Sequence, residues 1–149
     1  MISKILVPTD GSETAKKAAK YAVELAGQIG ASAILVSVID KTLFASQSVP
    51  SIAAPTHLIE PIEDYLRQVA EACLDDVERL CEKKGVKSKK VVRRGHPVEE
   101  IVKEAERSKA DLIVMGSHGK SALKMAVLGS VTFGVIHKDT KAPVLVVRR

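Results

Sequence analysis

Short apolar runs recur along this chain at Ile5-Leu6-Val7, Ala33 to Ile39, Leu112 to Met115 and Val144 to Val147. They are nearly uninterrupted. A strand with one wet face alternates apolar and polar residues, whereas a strand covered on both faces does not. Between the runs lie segments whose apolar residues return every three or four positions, the period of a helix with one buried stripe. Strands that alternate with helices and are apolar on both faces demand a parallel sheet with helices above and below. At 149 residues the chain fits a single domain of this kind, spanning 1–149.

Taken in order, Ser3 to Pro8 reads as the first strand and Thr9-Asp10-Gly11-Ser12 as a turn, with Ser12 and nearby Glu13 able to cap the helix that follows. That helix reaches Gly27–Gly30 and carries a small-residue face of Ala15, Ala18, Ala19, Ala22, Val23 and Ala26. Ala33 to Ile39 is the second strand, closed by Asp40. Lys41 to Pro61, with Pro50, Pro55 and Pro61, reads as a flexible excursion beside the binding crevice, either a lid or a variable insert. Ile62 to Lys84 is the longest helix, with Gly85 as its C-cap. Val86 to Arg93 is a charged third strand and therefore an edge. Pro97 opens the next helix, which turns Val98, Ile101, Val102 and Ala105 inward. Leu112 to Met115 is the fourth strand, Gly129 or Ser130 to about Asp139 a helix, and Val144 to Val147 the fifth strand.

Right-handed crossovers leave few topologies for such a chain. In the common open order 3-2-1-4-5, the loops after strands one and four meet at the switch point, outside the carboxyl ends of the strands, where ligands bind. Those loops are Pro8-Thr9-Asp10-Gly11 and Gly116 to Ser130. The second holds two glycines three apart, Gly116 and Gly119, then nine residues, then Gly129-Ser130 at a helix start. Glycines let a backbone approach a ligand closely, and a helix N-terminus offers free N–H groups and a positive dipole end to an anion. Gly119-Lys120-Ser121 looks like the end of a Walker A loop, but that motif needs glycine where Val114 stands. The Gly-x-Gly-x-x-Gly of dinucleotide-binding folds is absent.

Gly-x-x-Gly, nine residues and Gly-Ser, set in Met115-Gly116-Ser117-His118-Gly119 and Leu128-Gly129-Ser130-Val131-Thr132, resembles the nucleotide-binding signature of the universal stress protein family in its ATP-binding branch. The resemblance covers the chain except 41–61. It implies a Rossmann-like, adenine nucleotide alpha hydrolase-like fold and a site for ATP, with Mg²⁺, built from Pro8, Thr9, Asp10, Val38, Met115, Gly116, His118, Gly119, Gly129, Ser130, Val131 and Thr132. Gly116, Gly119 and residues 129–132 would line ribose and phosphates, with the amides of 129–132 and the hydroxyls of Ser130 and Thr132 as donors. The main chain of Val38 would read adenine, although a strand residue explains Val38 equally well. Asp10 would accept from ribose hydroxyls or help hold the metal, with a helix cap as its plainer role. His118 lacks a visible orienting partner for work as a base, so a phosphate contact or loop filling suits it better. The chain departs from the family at Phe133-Gly134, where a capping box would want Glu or Gln at position 133 and where Gly134 costs a helix interior roughly 1 kcal/mol. Phe133 would pack on the sheet or against a partner.

The implied function is that of an ATP-binding, nucleotide-responsive stress regulator. Alternatives are a slow ATPase or nucleotidyl-transferring enzyme of the same group, and a nucleotide-free interaction module. The apolar segment 143–147 at a sheet edge suits a homodimer, and protein clients are unspecified. With no signal peptide and no apolar stretch of membrane-spanning length, a cytoplasmic, membrane-free protein is expected. The formal charge of +5 is densest from Lys83 to Arg94, but with only Tyr21, Tyr65, Phe44 and Phe133 as aromatics a base-stacking platform is disfavoured, and no nucleic-acid partner is expected. Cys73 and Cys81 lie too far apart along one helix to bridge and read as buried or half-buried thiols, while His57, His96 and His137 read as surface residues.

Overall fold

The computed structural model describes residues 1–40, 56–118 and 128–148, and only the backbone of 56–60. Along these, β1 (Lys4–Pro8), α1 (Glu13–Ile29), β2 (Ser32–Asp40), α2 (Thr56–Lys83), β3 (Ser88–Gly95), α3 (Pro97–Ser108), β4 (Leu112–Gly116), α4 (Ser130–His137) and β5 (Val144–Val147) follow one another. The strands form one sheet in the order β3-β2-β1-β4-β5, and every pairing is parallel.

The apolar runs are continuous because each strand feeds two cores. Ile5 and Val7 of β1 join Leu35 and Val114 under α1 and α2, which contribute Ala19, Ala22, Val23, Leu74, Val77 and Cys81. Leu6 points the other way and joins Val36, Ile113 and Met115 under α3 and α4, against Val98, Ile101, Ala105 and Val135. The alanine face of α1 lets that helix lie close on the sheet, with Ala18, Ala19, Ala22 and Ala26 all essentially buried. Cys81 sits in the first core, where burial pushes its thiol up from the ordinary value, and Cys73 is half-buried, as free thiols should be.

Two element starts differ from the sequence reading by more than one residue. The long helix α2 begins at Thr56 rather than Ile62, so 56–61 belong to it and Pro61 lies inside it. Pro61 has no N–H for the carbonyl four residues earlier, so the helix runs through it with one backbone hydrogen bond fewer. The rest of the proposed excursion, 41–55, lies outside the described residues. The third strand begins at Ser88 rather than Val86. Gly85 takes φ 66° and donates to Glu82 O at 3.2 Å, while Val86 N donates to Cys81 O at 2.9 Å. That is a Schellman ending, and Val86 is its apolar clasp, buried against the helix it terminates.

As expected, β3 is an edge strand. Its cations divide between the two faces. Lys90 pairs with Asp75 and Glu78 of α2 at 2.8 and 3.2 Å, and these carboxylates raise its pKa. Arg94 meets Glu63, and Arg93 reaches Glu104 of α3 on the opposite face at 2.8 Å. Among the described residues no helix is long and apolar enough to cross a membrane.

Candidate functional site

β1 and β4 lie side by side, Leu6 opposite Ile113, so the turns that leave their carboxyl ends open into one crevice. The β1 turn is fixed by its own side chains. Pro8 ends the strand buried, and Thr9 N donates to Val36 O at 2.9 Å. Asp10 Oδ1 accepts from Ser12 N at 2.9 Å, an Asx turn, and Gly11 adopts φ 77°. The cap of α1 is Ser12, whose Oγ accepts from Ala15 N at 3.2 Å. Asp10 is therefore not the helix cap. It stands exposed at the turn, with one oxygen already on the loop's backbone.

Val38 is half-buried against the α3–α4 core and pairs with Arg93. Successive residues of a strand send their main-chain groups to opposite neighbours. Ser32 N and Val36 O both meet the β1 side, so Val38 also turns its N–H and C=O that way. The strand β1 has already ended at Pro8, opposite Val36. The main chain of Val38 thus faces the crevice past the end of its neighbour, the geometry needed to read a flat heterocycle edge-on.

The β4 side is drawn together by hydrogen bonds across its loop. Met115 is buried in the α3–α4 core. Gly116 packs on the first turn of α1, where a Cβ would lie 2.7 Å from Thr14 O. Thr14 Oγ1 donates to His118 O, and Ser117 N donates to Val147 O at 3.0 Å. Gly129 N donates back to Ser117 O at 2.6 Å, so the loop closes at its base before α4 begins. Gly119 and its neighbours through 127 lie outside the described residues.

Two of the expected donors prove to be engaged. The Gly129 N–H holds Ser117, and the buried Thr132 hydroxyl donates to Gly116 O at 2.7 Å, because the loop must be pinned to the helix it feeds. What faces outward is the first turn of α4 itself, whose amides at Ser130, Val131 and Thr132 have no partner within a helix, together with the exposed Ser130 side chain. Gly129 is the N-cap at φ −67°, ψ 157°, an extended conformation open to any residue. Its value at this place is the absence of a side chain, not a special backbone angle.

His118 has an orienting contact that sequence reasoning missed: its Nδ1 lies 2.8 Å from Ser117 Oγ. The signal was the Ser-His adjacency, but only the buried setting of Ser117 turns it into a contact. Phe133 does not pack on the sheet; it is 53% exposed and stacks on His137 with ring centroids 4.0 Å apart. His96 and His137 lie at the surface as expected, and the side chain of His57 is outside the described residues.

Comparison with known proteins bears on this arrangement at two levels. The family model for the universal stress protein family matches residues 1–148. Universal stress protein MJ0577 of Methanocaldococcus jannaschii is 40% identical over 157 residues, covering 100% of this chain and 96% of that protein. Universal stress protein MJ0531 of the same organism is 38% identical, over 100% of this chain and 84% of its own. A solved structure of MJ0577 superposes with a TM-score of 0.85 over 100% of this chain and 97% of that one. A universal stress protein solved in complex with cAMP is 25% identical, with a TM-score of 0.68 over 99% of this chain and 97% of that one. With the family model matching residues 1–148 and relatives at 38–40% identity across the chain, the chain belongs to the universal stress protein family.

Proposed function

We propose that this chain binds ATP, accompanied by Mg²⁺, in the crevice between β1 and β4, and acts in the cytoplasm as a nucleotide-responsive regulator of a stress response. The observation that carries the reading is the Ser117–Gly129 tie. It sets the open first turn of α4 beside the end of β4, next to the β1 turn and the outward main chain of Val38. An anion at the α4 terminus, ribose hydroxyls at Asp10 and adenine along Val38 follow the order of the parts of a nucleotide. The cAMP complex of a relative supports an adenine nucleotide as the ligand class. Among the described residues no group of three or more His, Cys, Asp or Glu could hold a metal. The Mg²⁺ would be carried by the phosphate oxygens and water.

Calorimetric titration with ATP tests the site. In Gly129→Val a branched side chain would stand before the α4 amides. Losing two charge-assisted hydrogen bonds would cost about 3–6 kcal/mol, or more than roughly a hundredfold in affinity. Ser130→Ala removes one hydroxyl and should cost less. Unchanged affinity in Gly129→Val, with an intact thermal melt, would show that the glycine spacing is turn chemistry alone. Turnover should be slow, because no arginine accompanies the loop motif. Steady-state hydrolysis above roughly 1 per second would favour the enzyme reading instead.

A further inference from the structure

On the α3 face of the sheet, toward the amino ends of β1, β2 and β3 and the carboxyl end of α3, lies an open pocket of ≈ 610 Å³. Among the described residues, Lys4, Lys87, Lys89, Arg93, Arg107 and Lys109 line it, with Glu104 as the one carboxylate. Among the described lining residues, six cations and one anion leave five positive charges in one place.

The cations are arranged in two ways. Glu104, whose side chain is 5% exposed, holds Arg93 Nε at 2.8 Å and lies 3.6 Å from Arg107, which orients the Arg93 guanidinium while leaving further N–H donors on both arginines. The ammonium groups of Lys87, Lys89 and Lys109 make no ion pair among the described residues. On the other face of β3 the equivalent cations, Lys90 and Arg94, are all matched by carboxylates of α2. The mismatch is confined to the cavity side. The carboxyl end of α3 opposes an anion by about half a charge, but Lys4 Nζ already donates to Ser108 O there at 3.3 Å, and half a charge does not offset five. Asp111, just beyond the cavity, is engaged by Ser3 and Lys4.

We propose that this cavity is a second ligand site, taking a small molecule that carries clustered phosphates. Its volume suits one compact ligand. Ile34 and Ala33 are its apolar lining, and among the described residues no aromatic lines it, which disfavours a large apolar group or a stacked base. A guanidinium held by Glu104, flanked by exposed ammonium groups and a second arginine, matches the charge density of a di- or triphosphate.

The probes are inorganic tripolyphosphate, orthophosphate and a short polyglutamate peptide, titrated calorimetrically at about 0.1 M salt. Wild type should bind tripolyphosphate with a Kd below roughly 100 µM. Lys87→Glu with Lys89→Glu should weaken this by roughly tenfold or more, Lys87→Arg with Lys89→Arg should retain it, and both doubles should keep the melt and the ATP affinity of wild type. Both lysines are exposed and unpaired, so the reversal removes no packing. Tripolyphosphate binding that survives the charge reversal, or that disappears only in Gly129→Val, overturns the proposal by locating the anion elsewhere. Absence of binding overturns it as well. Polyglutamate binding as tightly as tripolyphosphate overturns the phosphate assignment. The tripolyphosphate and polyglutamate titrations are read without ATP and stand whether or not the crevice binds a nucleotide.

Discussion

Gly134 and Val98 meet where α4 crosses α3, and the space between them admits no further carbon. A Cβ at position 134 would lie 2.5 Å from Val98 Cγ2. Helix propensity alone would make Gly134→Ala favourable by roughly 1 kcal/mol, whereas overpacking a tight contact costs about 1–3 kcal/mol. The clash should win, so Gly134→Ala is expected to destabilise by about 1 kcal/mol. In a Val98→Ala background the same change should stabilise, giving a coupling of at least about 1 kcal/mol between the two sites in denaturant titrations. Additive effects would mean that the helices move apart freely. From sequence, Gly134 was a helix-weakening oddity, because its reason lies in a residue 36 positions away. Thr132 was opaque for the same cause: its hydroxyl chooses Gly116 O across the loop, which no local pattern announces.

At the scale of elements, the strands were legible because burial on both faces writes itself as unbroken apolar residues. The order of β1, β2, β4 and β5 then followed from crossover rules, and β3 was recognised as an edge by its lysines and arginines. Val86 misled because an apolar residue after a helix serves equally as a cap contact and as a first strand residue. The decision between them rests on the Gly85 backbone. A further join between elements escaped notice: Asp111, at the start of β4, accepts from Ser3 N, Ser3 Oγ and Lys4 N at 2.9, 2.9 and 3.0 Å, stitching β4 to the entrance of β1. These donors hold its carboxyl below the usual range, the Ser3 N–H foremost. A carboxylate whose folded pKa is lowered contributes stability that is fully present above its unfolded pKa and is lost as pH falls through the folded one. Asp111→Asn should therefore lower the urea midpoint at pH 7, and the gap to wild type should narrow below about pH 4. A gap of equal size at pH 7 and pH 3 would assign the effect to shape rather than charge.

On the scale of the whole molecule, the glycines and the first-turn amides of α4 lie at the carboxyl end of the sheet, and a cluster of cations lines the pocket toward the amino ends of β1, β2 and β3. The first could be read from spacing within one loop. The second could not, since its six cations come from β1, the β3 strand and its approach, and α3, and only folding brings them together. Between the ends lies the open edge at β5, proposed here as the seam of a homodimer. All residues of Val144–Val147 are half-buried in the single chain, and α4 beside it leaves Phe133 and Ile136 exposed at 53% and 42%. An apolar edge strand invites pairing, and a two-fold copy of itself closes the sheet without leaving a new edge. Pro143 O and Val147 O accept from β4, so positions 143, 145 and 147 face inward along the ladder while Val144 and Val146 turn their main-chain groups out. Val146→Pro should thus remove an outward N–H donor without touching the β4 pairing, which is the one strand setting where proline is tolerated. Light scattering at micromolar concentration should give twice the 16.0 kDa chain mass for wild type and a single chain mass for Val146→Pro, with β4–β5 still paired by hydrogen exchange. A monomeric wild type would end the dimer proposal. A dimeric Val146→Pro would move the interface off this edge and onto another apolar surface, for which the exposed Phe133 and Ile136 on α4 are the residues to change next.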